Sequence, residues 1–322
     1  MTNITMDDRG FLTTPTGPDA TAVVPLGDDG LPPAGHLLTK PEVVAINAAL
    51  ATGRALLVRG EPGTGKSQLA RAAAAVLKRG FVHQAVDART DTHDLLWTFD
   101  AVERLGKAQV LRADGGDVRE ALHRRSFVQP GALWWALDAA GARIQADSGG
   151  NGRCAVARPE AEQVVALVDE IDKADPSVPN ALLDALGHGG FNVDGLPRVC
   201  RRVDTRPLVL VTTNNERALP DAFVRRCLVL PLVVPADVVP WLVARGAVQP
   251  VRPADPVLQA VAERVGTARE RTPRGQCAPG LAEYLDLLRA LCEQHPRDDA
   301  AQLLLLDEIA PYFLNKHVRE RP

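Results

Sequence analysis

Residues 60–67 have the spacing of a phosphate-binding loop, because they match the pattern G-x-x-x-x-G-K-[ST] without a gap. In such a loop the glycines allow a tight turn whose N–H groups point at phosphates, the lysine reaches the β- and γ-phosphates, and the hydroxyl can bind Mg²⁺. An apolar run, residues 55–59, precedes the pattern, and a helix-forming run, residues 68–78, follows it. Strand, glycine loop and helix are the order that nucleotide binding requires. The residues expected to hold the nucleotide here are Gly60, Glu61, Pro62, Gly63, Thr64, Gly65, Lys66, Ser67 and Gln68.

A pair of acidic residues follows a second apolar run. Residues 164–168 are uniformly apolar, which is typical of a strand covered on both faces, and Asp169 and Glu170 come directly after them. Ligands of open α/β sheets bind at this end of the strands. We therefore expect Ser67 and Asp169 to bind Mg²⁺ and Glu170 to polarise an attacking water. The alternative is an ordinary strand that ends in two solvated acids.

Composition narrows the class of protein. A chain of 322 residues can form one or two domains, and its net charge of −3, without a long basic block, gives no electrostatic reason to expect DNA or membrane binding. The five cysteines are scattered and never spaced as C-x-x-C, which favours a reducing compartment over disulfides or zinc. The acidic first residues lack the apolar core of a secretion signal, and no apolar run is long enough for a membrane span. A cytoplasmic location is expected.

The chain divides into three stretches by composition. Residues 1–36 are rich in Pro, Gly, Thr and Asp and predict a flexible arm. Residues 37–234 alternate strand and helix patterns, which predicts a parallel sheet with helices on both faces, and residues 235–322 are helical only. The predicted strands are residues 55–59, 81–86, 164–168, 208–213 and 227–232.

Two segments have the character of insertions. The stretch between the second and third predicted strands is far longer than one crossover helix needs, so an insertion is expected at residues 91–160, with helices near 91–105 and 131–146. A shorter, turn-rich piece, residues 187–206, predicts a β-hairpin before the fourth strand.

With these motifs in this order, the sequence resembles the AAA+ ATPases, specifically the MoxR-like group, over residues 37–300. The segments that carry the resemblance are residues 60–67, 168–175 and 212–226, and the last is the most specific, since the first two patterns occur in many NTPases. The resemblance implies an α/β fold: a P-loop NTPase with a three-layer αβα core and a parallel sheet, followed by a small helical lid domain.

The resemblance also implies roles for polar residues outside the two motifs. Asn214 matches the sensor-1 residue that positions the lytic water, with Asn215 as the alternative. Arg226 matches the arginine that is inserted into the neighbouring subunit's site, with Arg225 as the substitute. We expect Arg226 at the edge of its own nucleotide site, facing its neighbour. Arg274 is the candidate for the sensor-2 arginine of the lid.

Two further patterns have competing interpretations. Residues 172–175, Asp-Lys-Ala-Asp, are similar to a guanine-reading [NT]-K-x-D signature, but they follow the metal-binding strand and so belong beside the phosphates, which favours ATP. A group of arginines could line a pore or bind nucleic acid, although without interleaved aromatic residues a solvated hairpin or a subunit contact is favoured. These arginines are Arg198, Arg201, Arg202 and Arg206.

The leading expectation is an ATP- and Mg²⁺-dependent remodelling ATPase that acts as a homo-oligomeric ring, a hexamer, on a protein partner. MoxR-like ATPases commonly work with proteins that carry a von Willebrand factor A domain, and the D-x-S-x-S motif of that domain is missing here, so the partner would be another chain. One alternative is a slow, nucleotide-gated switch or scaffold. Another is a nucleic-acid motor, which the acidic balance disfavours.

Overall fold

The computed structural model describes residues 4–17, 20–27, 31–114, 122–148, 159–273 and 275–315. The strands are β1 (Thr21–Leu26), β2 (Ala34–Thr39), β3 (Leu56–Gly60), β4 (Gly80–Ala85), β5 (Trp97–Phe99), β6 (Val128–Pro130), β7 (Val164–Asp169), β8 (Gly190–Phe191), β9 (Val199–Cys200), β10 (Leu208–Thr213) and β11 (Leu228–Leu232). The helices are α1 (Lys40–Thr52), α2 (Lys66–Val76), α3 (Ala101–Asp114), α4 (Ala132–Leu137), α5 (Ala139–Ser148), α6 (Ser177–Gly187), α7 (Asp221–Arg226), α8 (Val238–Ala247), α9 (Asp255–Glu270), α10 (Leu281–Gln294) and α11 (Asp299–Leu314).

A parallel sheet of five strands, in the order β11-β3-β10-β7-β4, forms the centre of the fold. Its three middle strands are apolar and almost wholly buried, as expected of strands covered on both faces. Because all five strands run the same way, their carboxyl ends meet at one edge. The five predicted strands and the parallel α/β class are confirmed, with strand ends shifted by a residue at most.

Successive residues of β3 pack against helices on opposite faces of the sheet. Leu57 belongs to the apolar cluster that contains Trp135 of α4, whereas Leu56 and Val58 belong to the cluster that contains Leu69 of α2. This alternation follows from the two-residue repeat of a strand. It gives the three-layer arrangement that the sequence predicts.

The segment expected to be an N-terminal arm contains regular structure. Strand β1 pairs antiparallel with β2, from Thr21 opposite Thr39 to Leu26 opposite Ala34. Val24 and Leu26 are buried on the α2 side of the central sheet. The arm interpretation is therefore wrong for β1 and for the part of β2 that precedes residue 37. The alternation of buried and exposed residues along β1 was the available signal.

The first helix predicted in the insertion is misplaced. Residues 91–96 form turns, Trp97–Phe99 is strand β5, and helix α3 begins only at Ala101. Strand β5 pairs antiparallel with β6, and the side chain of Gln84 donates to the carbonyl of Asp94 at 2.9 Å. The turn is thus held by a side chain from the central sheet, a contact that local sequence cannot indicate. Residues 115–121 and 149–158, also within the predicted insertion, lie outside the described residues.

The helix predicted near residues 131–146 is two helices. Helix α4 ends at Leu137. The backbone of the next residue, Asp138, leaves the helical region (φ −147°, ψ 80°), and α5 begins immediately after it. The Asp138 carboxylate accepts a hydrogen bond from the N–H of Gly141 at 3.1 Å, which satisfies a free donor at the start of α5. Further along the chain, β8 and β9 pair antiparallel where the sequence predicts a hairpin.

Helices α8 to α11 form a separate helical unit, the lid. Its apolar core includes Leu242, Val261, Tyr284, Leu288 and Leu306. The hydroxyl of Tyr284 donates to the carbonyl of Leu258 at 3.3 Å, and burial raises the pKa of Tyr284 far above its ordinary value. In the part of the chain that the structure describes, no helix is both long and apolar enough to cross a membrane.

Trp135→Ala should lower the free energy of unfolding by about 3–5 kcal/mol, because it leaves a cavity between α4 and the sheet. Urea denaturation measures this change. Val203→Ala is the control, since Val203 is 95% exposed and its truncation should change stability by no more than about 0.5 kcal/mol. Equal effects of the two substitutions would contradict the packing described for α4.

Candidate nucleotide-binding site

The predicted phosphate-binding loop joins the end of β3 to the start of α2. Gly63 and Gly65 have φ of +73° and +95°, in the left-handed region that glycine adopts without strain. Gly65 directly precedes α2, so the free N–H groups of that helix face the loop. Thr64 closes the turn, since its hydroxyl donates to the carbonyl of Glu61 at 2.9 Å. The loop is therefore shaped for an anion at a helix N-terminus.

Lys66 is a buried cation, 7% exposed. Its Nζ donates to the carbonyl oxygens of Gly60 and Glu61 at 2.9 and 2.8 Å, and among the described residues it forms no ion pair. Burial lowers the pKa of Lys66, against the attraction of nearby carboxylates led by Asp169. A buried charge that has only backbone carbonyls as partners is favourable to an anionic ligand.

Asp169 is the centre of a hydrogen-bond network at the end of β7. Its Oδ2 accepts from the Ser67 hydroxyl at 3.0 Å and lies 3.2 Å from Nε2 of His83, and its Oδ1 accepts from the Thr212 hydroxyl. Burial alone would raise the pKa of Asp169, but these hydrogen bonds, led by that of His83, lower it overall. The carboxylate is thus held ionised.

The Ser67 and Asp169 oxygens fit Mg²⁺. A hydroxyl and an ionised carboxylate 3.0 Å apart are hard oxygen donors, of the kind and small number that Mg²⁺ takes when water and phosphate complete its shell. The Mg²⁺ would supply neutralisation of phosphate charge between the loop and β7. Both sequence-predicted ligands are therefore adjacent.

Glu170 lies beside the loop with both carboxylate oxygens engaged. Lys173 Nζ donates to Oε2 at 2.6 Å, and Asn214 Nδ2 donates to Oε1 at 3.2 Å. The Glu170 backbone has a φ of +60°, uncommon outside glycine, and its N–H donates to the Thr212 hydroxyl at 2.9 Å. Such strained residues concentrate at functional sites.

Asn214 and Asn215 have different surroundings, which bears on the choice left open by the sequence. Asn214 contacts Glu170, whereas Asn215 turns the chain with a φ of +59° and donates its N–H to the Thr213 hydroxyl at 3.0 Å. The next N–H, of Glu216, donates to the buried carboxylate of Asp172 at 2.9 Å. The geometry favours Asn214 as the residue that acts with Glu170.

The loop and the lid enclose a cleft of about 380 Å³. It is lined by Pro62, Gly63, Gly65, Lys66, Ser67, Gln68, Asp169, Glu170, Asn214, Leu281, Ala282, Leu285, Asp286 and Arg289. An ion pair also joins the loop to the lid, where Arg269 of α9 donates to the Glu61 carboxylate at 2.6 Å. A mononucleotide between the loop and the lid would contact both units.

Arg289 is a site residue that the sequence reasoning missed. It lies on α10 and lines the cleft, whereas Arg274, the predicted lid arginine, lies outside the described residues. Leu281, Leu285 and Arg289 are spaced i, i+4, i+8, so they share one face of α10. An arginine in register with an apolar helix face was the available signal. His83 and Thr212 were also missed, since nothing local distinguishes them from other strand residues.

Arg225 and Arg226 lie at the opposite edge of the sheet from the loop. Both end α7, and β11 begins right after them, with the N–H of Leu228 donating to the carbonyl of Ala55 at 2.9 Å. The expected position at the edge of their own nucleotide site is therefore wrong. At about 3.3 Å per residue, β3 separates this pair from Gly60 by roughly 15–20 Å. Both side chains are exposed.

Together, the loop, the parallel sheet and the helical lid define a P-loop NTPase of the AAA+ type. A family model, the AAA domain of the dynein-related subfamily, matches residues 55–227, and the chain belongs to this family. No curated protein matches the chain. Among solved structures, the RuvB Holliday junction branch migration motor of Thermotoga maritima is similar at 16% identity and a TM-score of 0.42, covering 84% of this chain and 67% of that one. A variant of that protein is 18% identical, with a TM-score of 0.41 and coverages of 84% and 67%.

Gly63→Ala should weaken ATP binding about tenfold, because a left-handed backbone costs a residue with a Cβ about 1–2 kcal/mol. The new methyl group would also lie 2.9 Å from the Cβ of Ala282 at the start of α10. Isothermal calorimetry with Mg²⁺ and ATP measures the affinity. Adding Ala282→Gly should restore part of the lost affinity, because it removes the close contact between the new methyl group and the Ala282 side chain. Gly106→Ala, which meets open space in α3, is the control, and equal affinities of Gly63→Ala and this control would refute the loop assignment.

Proposed function

We propose that this protein is a Mg²⁺-dependent ATPase that converts ATP and water to ADP and phosphate and works as an oligomeric ring. The observation that carries the proposal is the convergence of two pairs at one cleft, Ser67 with Asp169 and Asn214 with Glu170. The first pair suits a metal ion and the second suits a water molecule. Membership of the AAA family supports nucleotide binding.

Binding would be the work of the loop and its lysine. The N–H groups at the start of α2 and the Lys66 ammonium would take the β- and γ-phosphates, with Lys66 exchanging the carbonyls of Gly60 and Glu61 for phosphate oxygens. Ser67 and Asp169 would hold the metal. On the lid, Arg289 lines the cleft and would contact phosphate. This is the sensor-2 role for which the sequence offers Arg274.

Hydrolysis would depend on Glu170 as the base that orients and polarises water. Asn214 would hold the Glu170 carboxylate in place by its hydrogen bond. Lys173 competes with that role, because its ammonium occupies Oε2 of Glu170 at 2.6 Å. This contact favours the second candidate, a slow nucleotide-gated switch, if the pair persists when nucleotide is bound. The measured turnover number separates the two.

ATP is proposed over GTP because the residues similar to a guanine-reading signature are engaged elsewhere. Asp172 is 3% exposed and accepts from the N–H of Glu216, and Lys173 pairs with Glu170. Neither is free to reach a base. A buried aspartate that holds a backbone loop has a positioning role instead.

The position of the arginine pair supports the proposed ring. Arg226 cannot reach its own loop across the length of β3, so a role in phosphoryl transfer requires a neighbouring subunit. A head-to-tail contact that closes on itself forms a ring, and we propose a hexamer. The arginine pair would then complete the next subunit's site.

The proposed partner is a protein with a von Willebrand factor A domain, by resemblance to the MoxR-like group, and the proposed location is the cytoplasm. A role on nucleic acid is less favoured, because the chain carries a net charge of −3. The arginine cluster lies in residues 198–206, which include β9, the second strand of the β8–β9 hairpin. The guanidinium group of Arg206 packs over the ring of Phe11, 4.6 Å from the ring centroid.

Glu170→Gln should abolish ATP turnover while leaving ATP affinity within about twofold, because the amide keeps the shape but is a far weaker base. Phosphate release and calorimetry measure the two quantities. The control is Glu216→Gln, an exposed acid on the neighbouring loop, which should hydrolyse ATP normally. Wild-type turnover by Glu170→Gln would remove Glu170 from the mechanism.

Arg226→Ala and Lys66→Ala should each be inactive alone, yet regain partial ATPase activity when mixed. In a mixed ring some interfaces pair the intact loop of an Arg226→Ala subunit with the intact arginine of a Lys66→Ala subunit. Phosphate release is measured against mixing ratio, with ring formation followed by light scattering. If mixed rings form and stay inactive, the arginine does not act between subunits. Arg225→Ala, tested in the same way, distinguishes which member of the pair acts.

A further inference from the structure

Arg54 binds the end of the helix that carries the arginine pair. Its Nε donates to the carbonyl of Arg226 at 2.8 Å, and its Nη2 donates to the carbonyl of Arg225. One guanidinium group therefore clamps two successive carbonyls at the C-terminus of α7. The Arg225 and Arg226 side chains are exposed and, among the described residues, neither has a hydrogen-bond or ion-pair partner of its own.

The clamp has a clear physical basis. The last carbonyls of a helix have no partner within the helix, and they carry partial negative charge that favours a cation. Helix α7 has only six residues, so its own hydrogen bonds do little to fix the direction of its end. The planar, forked donors of Arg54 suit a pair of acceptors, which a lysine ammonium cannot match in geometry.

Arg54 also connects this helix end to the strand that leads into the phosphate-binding loop. It lies between Gly53, which ends α1 in the left-handed conformation, and β3, which runs to Gly60. The neighbouring residue Ala55 accepts from the N–H of Leu228 at the start of β11. The side chain and the backbone of this short segment thus hold both the helix end and the strand after it.

We propose that Arg54 is a positioning residue that aims the Arg225–Arg226 pair at the adjacent subunit's nucleotide. This inference rests on the proposed action of the pair between subunits. Arg54 would not touch nucleotide, because it lies at the same edge as the pair, six residues before Gly60 along β3. Its loss should therefore affect the neighbour's catalysis and leave ATP binding by its own subunit intact.

Arg54→Ala should lower kcat by about 10- to 100-fold, the loss expected when a catalytic group is displaced by about 1 Å, with the ATP dissociation constant within about twofold of wild type. Arg54→Lys should recover part of kcat, because an ammonium reaches one carbonyl at a time. Arg143→Ala is the matched control, since Arg143 also binds two carbonyls, those of Pro159 and Ala161, but outside the site. Its kcat should stay near that of wild type.

Mixing experiments separate an effect on the neighbour from an effect on Arg54's own loop. Arg54→Ala mixed with Lys66→Ala should regain activity, because intact loops then face correctly aimed arginines. Arg54→Ala mixed with Arg226→Ala should stay inactive, because no subunit supplies an aimed arginine. The reverse pattern would mean that Arg54 supports its own loop, and it would overturn the inference.

The mixture of Arg226→Ala with Lys66→Ala serves as the reference. If that reference regains activity and the Arg54→Ala mixture with Lys66→Ala does not, the inference is wrong while the action of Arg226 between subunits stands. If the reference itself stays inactive in mixed rings, both fail together. A wild-type kcat for Arg54→Ala alone also overturns the inference, whatever the mixtures do.

Discussion

The geometry of the site depends on the two hydrogen bonds of the buried Thr212 hydroxyl. It donates to the Asp169 carboxylate and accepts from the N–H of Glu170, so one side chain of β10 holds the last residue of β7 and the residue directly after it. Thr212 has no exposed surface, and an unpaired polar group there would be costly. The hydroxyl can meet both partners only because β7 and β10 are adjacent and parallel. Strand order therefore sets the geometry of the Asp169 carboxylate and of the strained Glu170 backbone.

The same parallel order explains how much of the fold the sequence predicts. Strands such as β7 and β10 are buried on both faces, so they are continuous apolar runs bounded by polar residues, a signal that is local and strong. Strand β1 is half buried and ordered by its pairing with β2 and its packing on α2, contacts that local composition does not contain. The turn before β5 and the break at Asp138 likewise depend on single side-chain hydrogen bonds.

The residues of the site likewise divide into those that the sequence predicts and those that it does not. Residues 60–67, Asp169 and Glu170 were predictable because their chemistry and their spacing are contiguous in sequence. Their partners Thr212, His83 and Lys173 were not, because a hydrogen bond across strands or around a turn leaves no pattern in one sequence. Arg289 reaches the cleft from a different unit, through the docking of α10 on the loop. The spacing of Leu281, Leu285 and Arg289 indicates that they share a helix face, but it does not indicate that this face packs on the loop.

The sheet separates the phosphate-binding loop from the arginine pair. The loop is at the carboxyl edge and the arginine pair is at the amino edge, and β3 joins the two through its length. Its neighbours β10 and β11 hold β3 in register along its length. The lid contacts the residue directly after the same strand, because Arg269 of α9 forms an ion pair with Glu61. The loop–lid cleft and Arg54 thus lie at opposite ends of β3. In the ring proposed above, one strand would therefore lead at one end to the loop of a site and at the other end to the clamp on the arginine pair.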